Sequence, residues 1–172
     1  VVDCVGVHDS QLRGYLNRIL APVKTSAGLL PFRKTSKGLE VLIAHPGGPF
    51  WAKKHQGAWS VIKGEMDPGE DPTAAALREF VEETGWSAPE GALMDLGEVI
   101  QGSGKRVIAF ACEAPELDPD TLAPGTFQLV WRDKEIEVPE IDKVQWFELD
   151  AARRLVNPAQ EAFVDRLEAR LL

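Results

Sequence analysis

Gly64 to Trp86 reads GEMDPGEDPTAAALREFVEETGW. Pro68-Gly69 is a favourable turn pair, and Gly64 and Gly69 allow backbone angles that other residues resist. The loop then meets Asp71, a good N-cap, and Pro72, which suits the first position of a helix. Thr73 to Thr84 is rich in helix formers, and Gly85 supplies the stop, so the spacing predicts a helix over Thr73–Thr84. At about 100° per residue, Glu79, Glu82 and Glu83 fall within one narrow arc. Ala74, Leu77, Val81 and Thr84 lie opposite, flanked by Phe80, so one face is expected to enter a core while the other displays carboxylates. Like charges three and four apart on a helix repel. A chain that keeps three in one turn is expected to offset the cost with bound cations. Hard divalent ions such as magnesium take oxygen ligands of this kind, and such sites commonly serve phosphate chemistry.

Working outward, the 172 residues suit a single domain, expected to span 1–172 with 1–21 as an N-terminal arm. No apolar run is long enough to cross a bilayer, and the first residues lack the blocks of a secretory leader. Cys4 and Cys112 form no metal-ligand spacing and read as free thiols, so a cytoplasmic location is expected. The formal net charge of −8 argues against a broad nucleic-acid surface and predicts that a polyanionic substrate needs metal ions and a local basic patch. Lys53, Lys54, His55, Lys63, Lys105 and Arg106 are the candidates for that patch.

Strands are expected at Val23–Phe32, at Leu39–His45 and at Ala58–Lys63, with Pro31 marking an edge or a strand end. Pro46–Pro49 and Phe50–Gly57 read as loops. Beyond the helix, Leu93–Ile100 and Arg106–Cys112 read as strands joined by a turn at Gly102–Lys105. Phe127–Trp131 and Lys143–Glu148 are further strands, with an acidic, proline-rich loop at Glu113–Gly125 between. Asp150–Val156 and Ala159–Leu171 read as helices broken at Asn157-Pro158, the second burying Phe163, Leu167 and Leu171. Trp59, Trp131 and Trp146 read as core residues.

The array Gly64, Glu70, Arg78-Glu79-Phe80, Glu82-Glu83, Gly85 and Trp86 resembles the signature box of the Nudix hydrolases at every defining position. The resemblance extends to the order of strands and to the ending Pro139–Leu171. It implies an α/β fold, an α/β/α sandwich with a mixed central sheet. It also implies hydrolysis of a nucleoside diphosphate linked to another group, with Mg2+, or Mn2+, as cofactor. Glu79 and Glu83 would be the main metal ligands, with Glu82 and the backbone carbonyl of Lys63 joining them. Glu140, just before a strand, matches the place of an additional ligand or base in some relatives. Which glutamate is the base stays open. The catalytic group is then Glu79, Glu82, Glu83 and Arg78, while Arg78 and Glu70 are expected to hold the carboxylates in place, Arg78 pairing with Glu82, Glu79 or Glu70. Gly64, Gly69, Glu70 and Gly85 form the structural part of the motif.

For the substrate, Lys53, Lys63, Lys105 and Trp51 are the candidate contacts, Lys63 through a phosphate and Trp51 by stacking on a base. The stretch Gly48–Glu65 resembles bacterial Nudix proteins thought to act on nucleoside polyphosphates, with Ile62 where many relatives carry a proline. The region of Gln101 lacks the proline of ADP-ribose pyrophosphatases, and Tyr15 is the sole tyrosine, so the marker tyrosine of one dinucleoside polyphosphate class is missing. The expected substrate is a nucleoside triphosphate or dinucleoside polyphosphate. The alternatives are a nucleotide-sugar, a non-catalytic nucleotide-sensing role, and an isoprenoid diphosphate isomerase, which needs a reactive cysteine where Cys112 reads as a strand residue. Partners are thus a small nucleotide and no membrane, with monomer and homodimer both open.

Overall fold

The computed structural model describes residues 23–172; the expectations for 1–21, Cys4 and Tyr15 lie outside the described residues. The chain forms β1 (Thr25–Thr35), β2 (Gly38–Pro46), β3 (Ile62–Glu65), α1 (Pro72–Thr84), β4 (Met94–Ile100) and β5 (Arg106–Glu113). A hairpin of β6 (Thr126–Trp131) and β7 (Lys134–Pro139) follows, then β8 (Ile141–Glu148), α2 (Leu149–Leu155) and α3 (Glu161–Leu171). The main sheet runs β4-β5-β1-β2-β8, and β3 also pairs with β1. Among the described residues only β1 and β5 pair in parallel within it, so the sheet is mixed.

Each face of the sheet buries its own apolar set. Ala27, Leu29, Leu42 and Ile62 meet Ala75, Ala76 and Phe80 of α1. Leu30, Phe32, Val41 and Ile43 meet Ala152, Phe163 and Leu167 of α2 and α3. The alternation within β1 and β2 sends consecutive side chains to opposite layers. The result is an α/β/α sandwich with α1 on one side and α2 and α3 on the other.

Four expectations are corrected. Pro31 marks neither an edge nor a strand end: β1 is central and continues to Thr35. On one side β1 pairs with β3 through Leu29 and with β2 from Phe32, so Pro31 sits at the change of partner, where its missing N–H costs little. The strand expected at Ala58–Lys63 begins instead at Ile62, because Trp59 and Ser60 make only isolated bridges, to Val156 and Ala44. Trp131 is not a core residue: it ends β6 in the two-stranded hairpin, away from the main sheet, whereas Trp59 is buried. In α1 the buried residues are Ala75, Ala76, Glu79, Phe80 and Thr84, while Val81 is exposed. The helix is rolled toward β3, which takes part of the carboxylate edge inward.

Among the described residues, no helix is long and apolar enough to cross a membrane.

Candidate active site

α1 is set at both ends by local chemistry. The Asp71 carboxylate accepts the Ala74 N–H at 3.0 Å, and Gly85 closes the helix in the left-handed region at φ 73°. Gly69 turns the preceding loop, with φ 76°. That loop and β3 bring Gly64 against Glu79. A Cβ at position 64 would lie 1.7 Å from Glu79 Oε2, so only glycine lets the carboxylate occupy this place.

Arg78 organises the carboxylates. Its Nε and Nη2 donate to the two oxygens of Glu70 at 2.9 and 2.8 Å, a planar fork on a planar acceptor. Nη1 donates to Glu79 Oε1 at 2.7 Å and to Glu82 Oε2 at 3.1 Å, and Nη2 also reaches the Glu65 carbonyl at 3.1 Å. The expected pairings with Glu70, Glu79 and Glu82 all form at once. The Arg78 hydrogen bonds, aided by the Asp67 N–H at 2.9 Å, hold the Glu70 carboxyl down to about 2. Glu70 therefore acts as a fixed anion that aims Arg78.

Glu79 and Glu83 sit in a different electrostatic setting. Burial raises the Glu79 carboxyl against the pull of Arg78, with Glu82 and Glu140 adding to the rise. Glu83 is pushed up by burial first and by Glu140 and Glu79 next, while Lys63 opposes. Lys63 in turn is lowered by burial and by Lys105, and raised by Glu83 and Glu79. Glu140 is thus brought to the same site as the helix glutamates. Its backbone N–H donates to the Gly125 carbonyl at 2.9 Å, and Gly125 donates to the Glu82 carbonyl at 3.2 Å, so β8 starts tied to the end of α1. Lys105 is brought to Lys63 by the turn in which Gln101 N–H donates to the Lys105 carbonyl at 2.9 Å.

The donor types suit a hard divalent cation: Glu79 and Glu83 lie in a partly buried place that penalises their charge, and Glu140 adds to the rise of both. Glu82, more exposed, is engaged by Arg78. Among the described residues no three acidic, His or Cys side chains are grouped so as to hold a metal ion. A cleft of about 550 Å3 opens beside the box loop, lined in part by Glu65, Asp67, Gly69 and Arg106. Another, of about 540 Å3, lies by Lys34, Lys37 and Leu171 and shares no lining residue with the box.

Trp51 and Lys53 belong to the loop after β2. Among the described residues, neither makes a hydrogen bond or ion pair to the box; Trp51 stacks edge-on with Phe50 at 4.9 Å, and Lys54 lies 3.3 Å from the Phe50 ring centre. Cys112 is buried in β5 with its thiol pushed up to about 12, mainly by that burial, which fits a packing residue. Sequence reasoning missed Gly28, on which a Cβ would meet the Lys63 Cβ at 2.4 Å, and Gly125. The signal for Gly28 was a glycine inside a strand pattern.

The family model described as the NUDIX domain matches residues 23–167. The chain belongs to the Nudix family. The RNA pyrophosphohydrolase of Erythrobacter litoralis is 31% identical over 120 residues, covering 61% of this chain and 68% of that protein. A diphosphoinositol polyphosphate phosphohydrolase, type 3-alpha, of Mus musculus is 26% identical over 148 residues, covering 84% and 78%. These relatives place the chain among the Nudix hydrolases. In solved structures, a C. elegans Ap4A hydrolase superposes with TM-score 0.62 at 23% identity, covering 85% of this chain and 97% of that one. The Nudix domain of Shewanella oneidensis NrtR, crystallised with ADP ribose, gives 0.59 at 15% identity, covering 95% and 98%. At such identities the structural likeness speaks for the Nudix fold alone.

Proposed function

We propose that this Nudix hydrolase cleaves a phosphoanhydride bond of a nucleoside triphosphate or dinucleoside polyphosphate, using magnesium or manganese. The observation that carries the reading is the carboxylate edge of α1, where Arg78 holds Glu79 and Glu82 and Gly64 leaves room for the Glu79 carboxylate. Burial raises the Glu79 and Glu83 carboxyls there, which a divalent cation would relieve. The names of the relatives fit: RNA pyrophosphohydrolase, diphosphoinositol polyphosphate phosphohydrolase and Ap4A hydrolase all denote polyphosphate cleavage.

Glu79 and Glu83 would hold the metal, with Glu140 and the Lys63 carbonyl beside them and Glu82 reaching it directly or through water. Bound metal supplies polarisation of phosphoryl oxygens and a water of lowered pKa. Arg78 fixes the Glu79 and Glu82 carboxylates, and Glu70 fixes Arg78. Glu79, Glu83 or Glu140 takes the proton of the attacking water. Lys63 and Lys105, close enough to repel, form the positive side of the site and receive a phosphate of the substrate. Trp51 and Lys53 reach toward the nucleoside from the loop after β2.

The test is product identification on a panel of nucleoside triphosphates, dinucleoside polyphosphates and nucleotide-sugars, with magnesium or a chelator. Magnesium-dependent cleavage in the first two classes is the expected result. Turnover confined to nucleotide-sugars, or binding without turnover, would overturn the assignment.

A further inference from the structure

His45, next to last in β2, is a buried histidine, 4% exposed. Both ring nitrogens are engaged: Nδ1 with Asp142 Oδ1 at 2.8 Å, and Nε2 with the Lys54 carbonyl at 2.6 Å. A carbonyl can only accept, so Nε2 carries a proton and donates it. The Asp142 contact comes from an irregularity in the sheet. His45 pairs with Lys143 and Pro46 with Ile141, leaving Asp142 as the extra residue of a bulge on β8. Bulges re-aim side chains and recur beside active sites. This one stands two residues after Glu140, whose carbonyl accepts the Gly47 N–H at 3.0 Å. The ring of His55, from the loop after β2, lies 5.6 Å from that of His45, and Trp59 packs edge-on at 5.2 Å.

We infer that His45 is a positioning residue, whose two hydrogen bonds pin the Trp51–His55 loop to the β8 bulge and so hold that loop in register with Glu140. The inference rests on the hydrolase reading above for its catalytic consequence, but its mechanical half stands on geometry alone. The loop spans from Gly48, next to Val138 and Leu129 of the hairpin, to Gly57, whose N–H donates to the Arg154 carbonyl at 3.4 Å. Between those ends, the Lys54 carbonyl bond is its anchor to the sheet, and it lies next to Lys53. Without that bond, Trp51 and Lys53 lose a fixed position for the substrate.

Two substitutions separate the bonds, because a glutamine amide nitrogen mimics Nε2 and an asparagine amide nitrogen mimics Nδ1. His45→Gln keeps the donation to the Lys54 carbonyl, and His45→Asn keeps only the contact with Asp142. Trypsin cleavage at Lys53 and Lys54 reads loop opening without any need for activity. We expect His45→Asn to be cut about tenfold faster or more than wild type, with His45→Gln close to wild type and far-UV circular dichroism unchanged in both. In the nucleotide assay, His45→Asn should raise KM about fivefold or more with kcat within about twofold, and His45→Gln should restore KM. Equal cleavage of both folded variants and wild type would overturn the pinning role. Faster cleavage with unchanged KM would overturn the positioning role. A wild type that turns over no nucleotide would refute the hydrolase reading, while the cleavage comparison still decides on the pin.

Discussion

The carboxylate of Glu79 occupies the space in which any residue other than glycine at position 64 would carry its Cβ, 1.7 Å from Oε2. The atom displaced is the end of a flexible side chain rather than backbone. Gly64→Ala should therefore leave the fold in place and push Glu79 out of position. We expect turnover to fall by a factor on the order of a hundred, with a far smaller change in Tm. A substrate assay beside a thermal melt checks this, and full activity in the variant would contradict it.

Glu83→Gln and Glu79→Gln each remove charge while keeping shape. Each should lower turnover by about a hundredfold or more, which is roughly 2.7 kcal/mol of barrier. Both variants should fold, since each loses a carboxylate that burial already disfavours in its charged form. Wild-type rates in both, with magnesium present, would refute the assignment of these residues.

Arg78→Lys keeps the charge and loses the fork. A single ammonium cannot span both oxygens of Glu70 and also reach Glu79, Glu82 and the Glu65 carbonyl. We expect turnover to drop about ten- to hundredfold and the magnesium concentration for half-maximal rate to rise. A magnesium titration of the initial rate tests both.

Glu70 makes the stability of the loop depend on acid. Its carboxyl is held down to about 2 by the Arg78 hydrogen bonds, so its contribution is fully present above the ordinary carboxyl value of 4.5. That contribution is lost as pH falls through the folded value. Glu70→Gln should lower Tm by a few degrees at pH 7. The difference from wild type should shrink as pH falls from 4.5 toward about 2. A gap that widens toward low pH would contradict the account.

The box and its helix were legible because short-range chemistry writes them: a cap, a stop and a spacing. The roll of α1 was not legible, because Val81 and Phe80 are adjacent, apolar and equally plausible as core, and the choice is made by β3 and Gly64 packing against Glu79. β7 was missed altogether. Its residues, KEIEVP, carry charge at Lys134, Glu135 and Glu137 and end in proline, and its turn is built from Arg132 and Asp133 at φ 50° and 63°. Two-residue hairpin turns with both angles positive are normally signalled by Asn or Gly, and neither is present. The convergence of Glu140 on α1 could be expected only through the family resemblance, because it depends on hydrogen bonds that run through Gly125. The role of His45 was invisible for the same reason: its partners are nine and 97 positions away.

The most direct test of the cation cradle is diffraction at the manganese absorption edge from crystals soaked in Mn2+ with a non-hydrolysable nucleotide. The account predicts an anomalous peak within bonding distance, roughly 2.0–2.3 Å, of carboxylate oxygens of Glu79 and Glu83. Ordered nucleotide phosphates with manganese bound elsewhere, and those two carboxylates turned away from it, would contradict it.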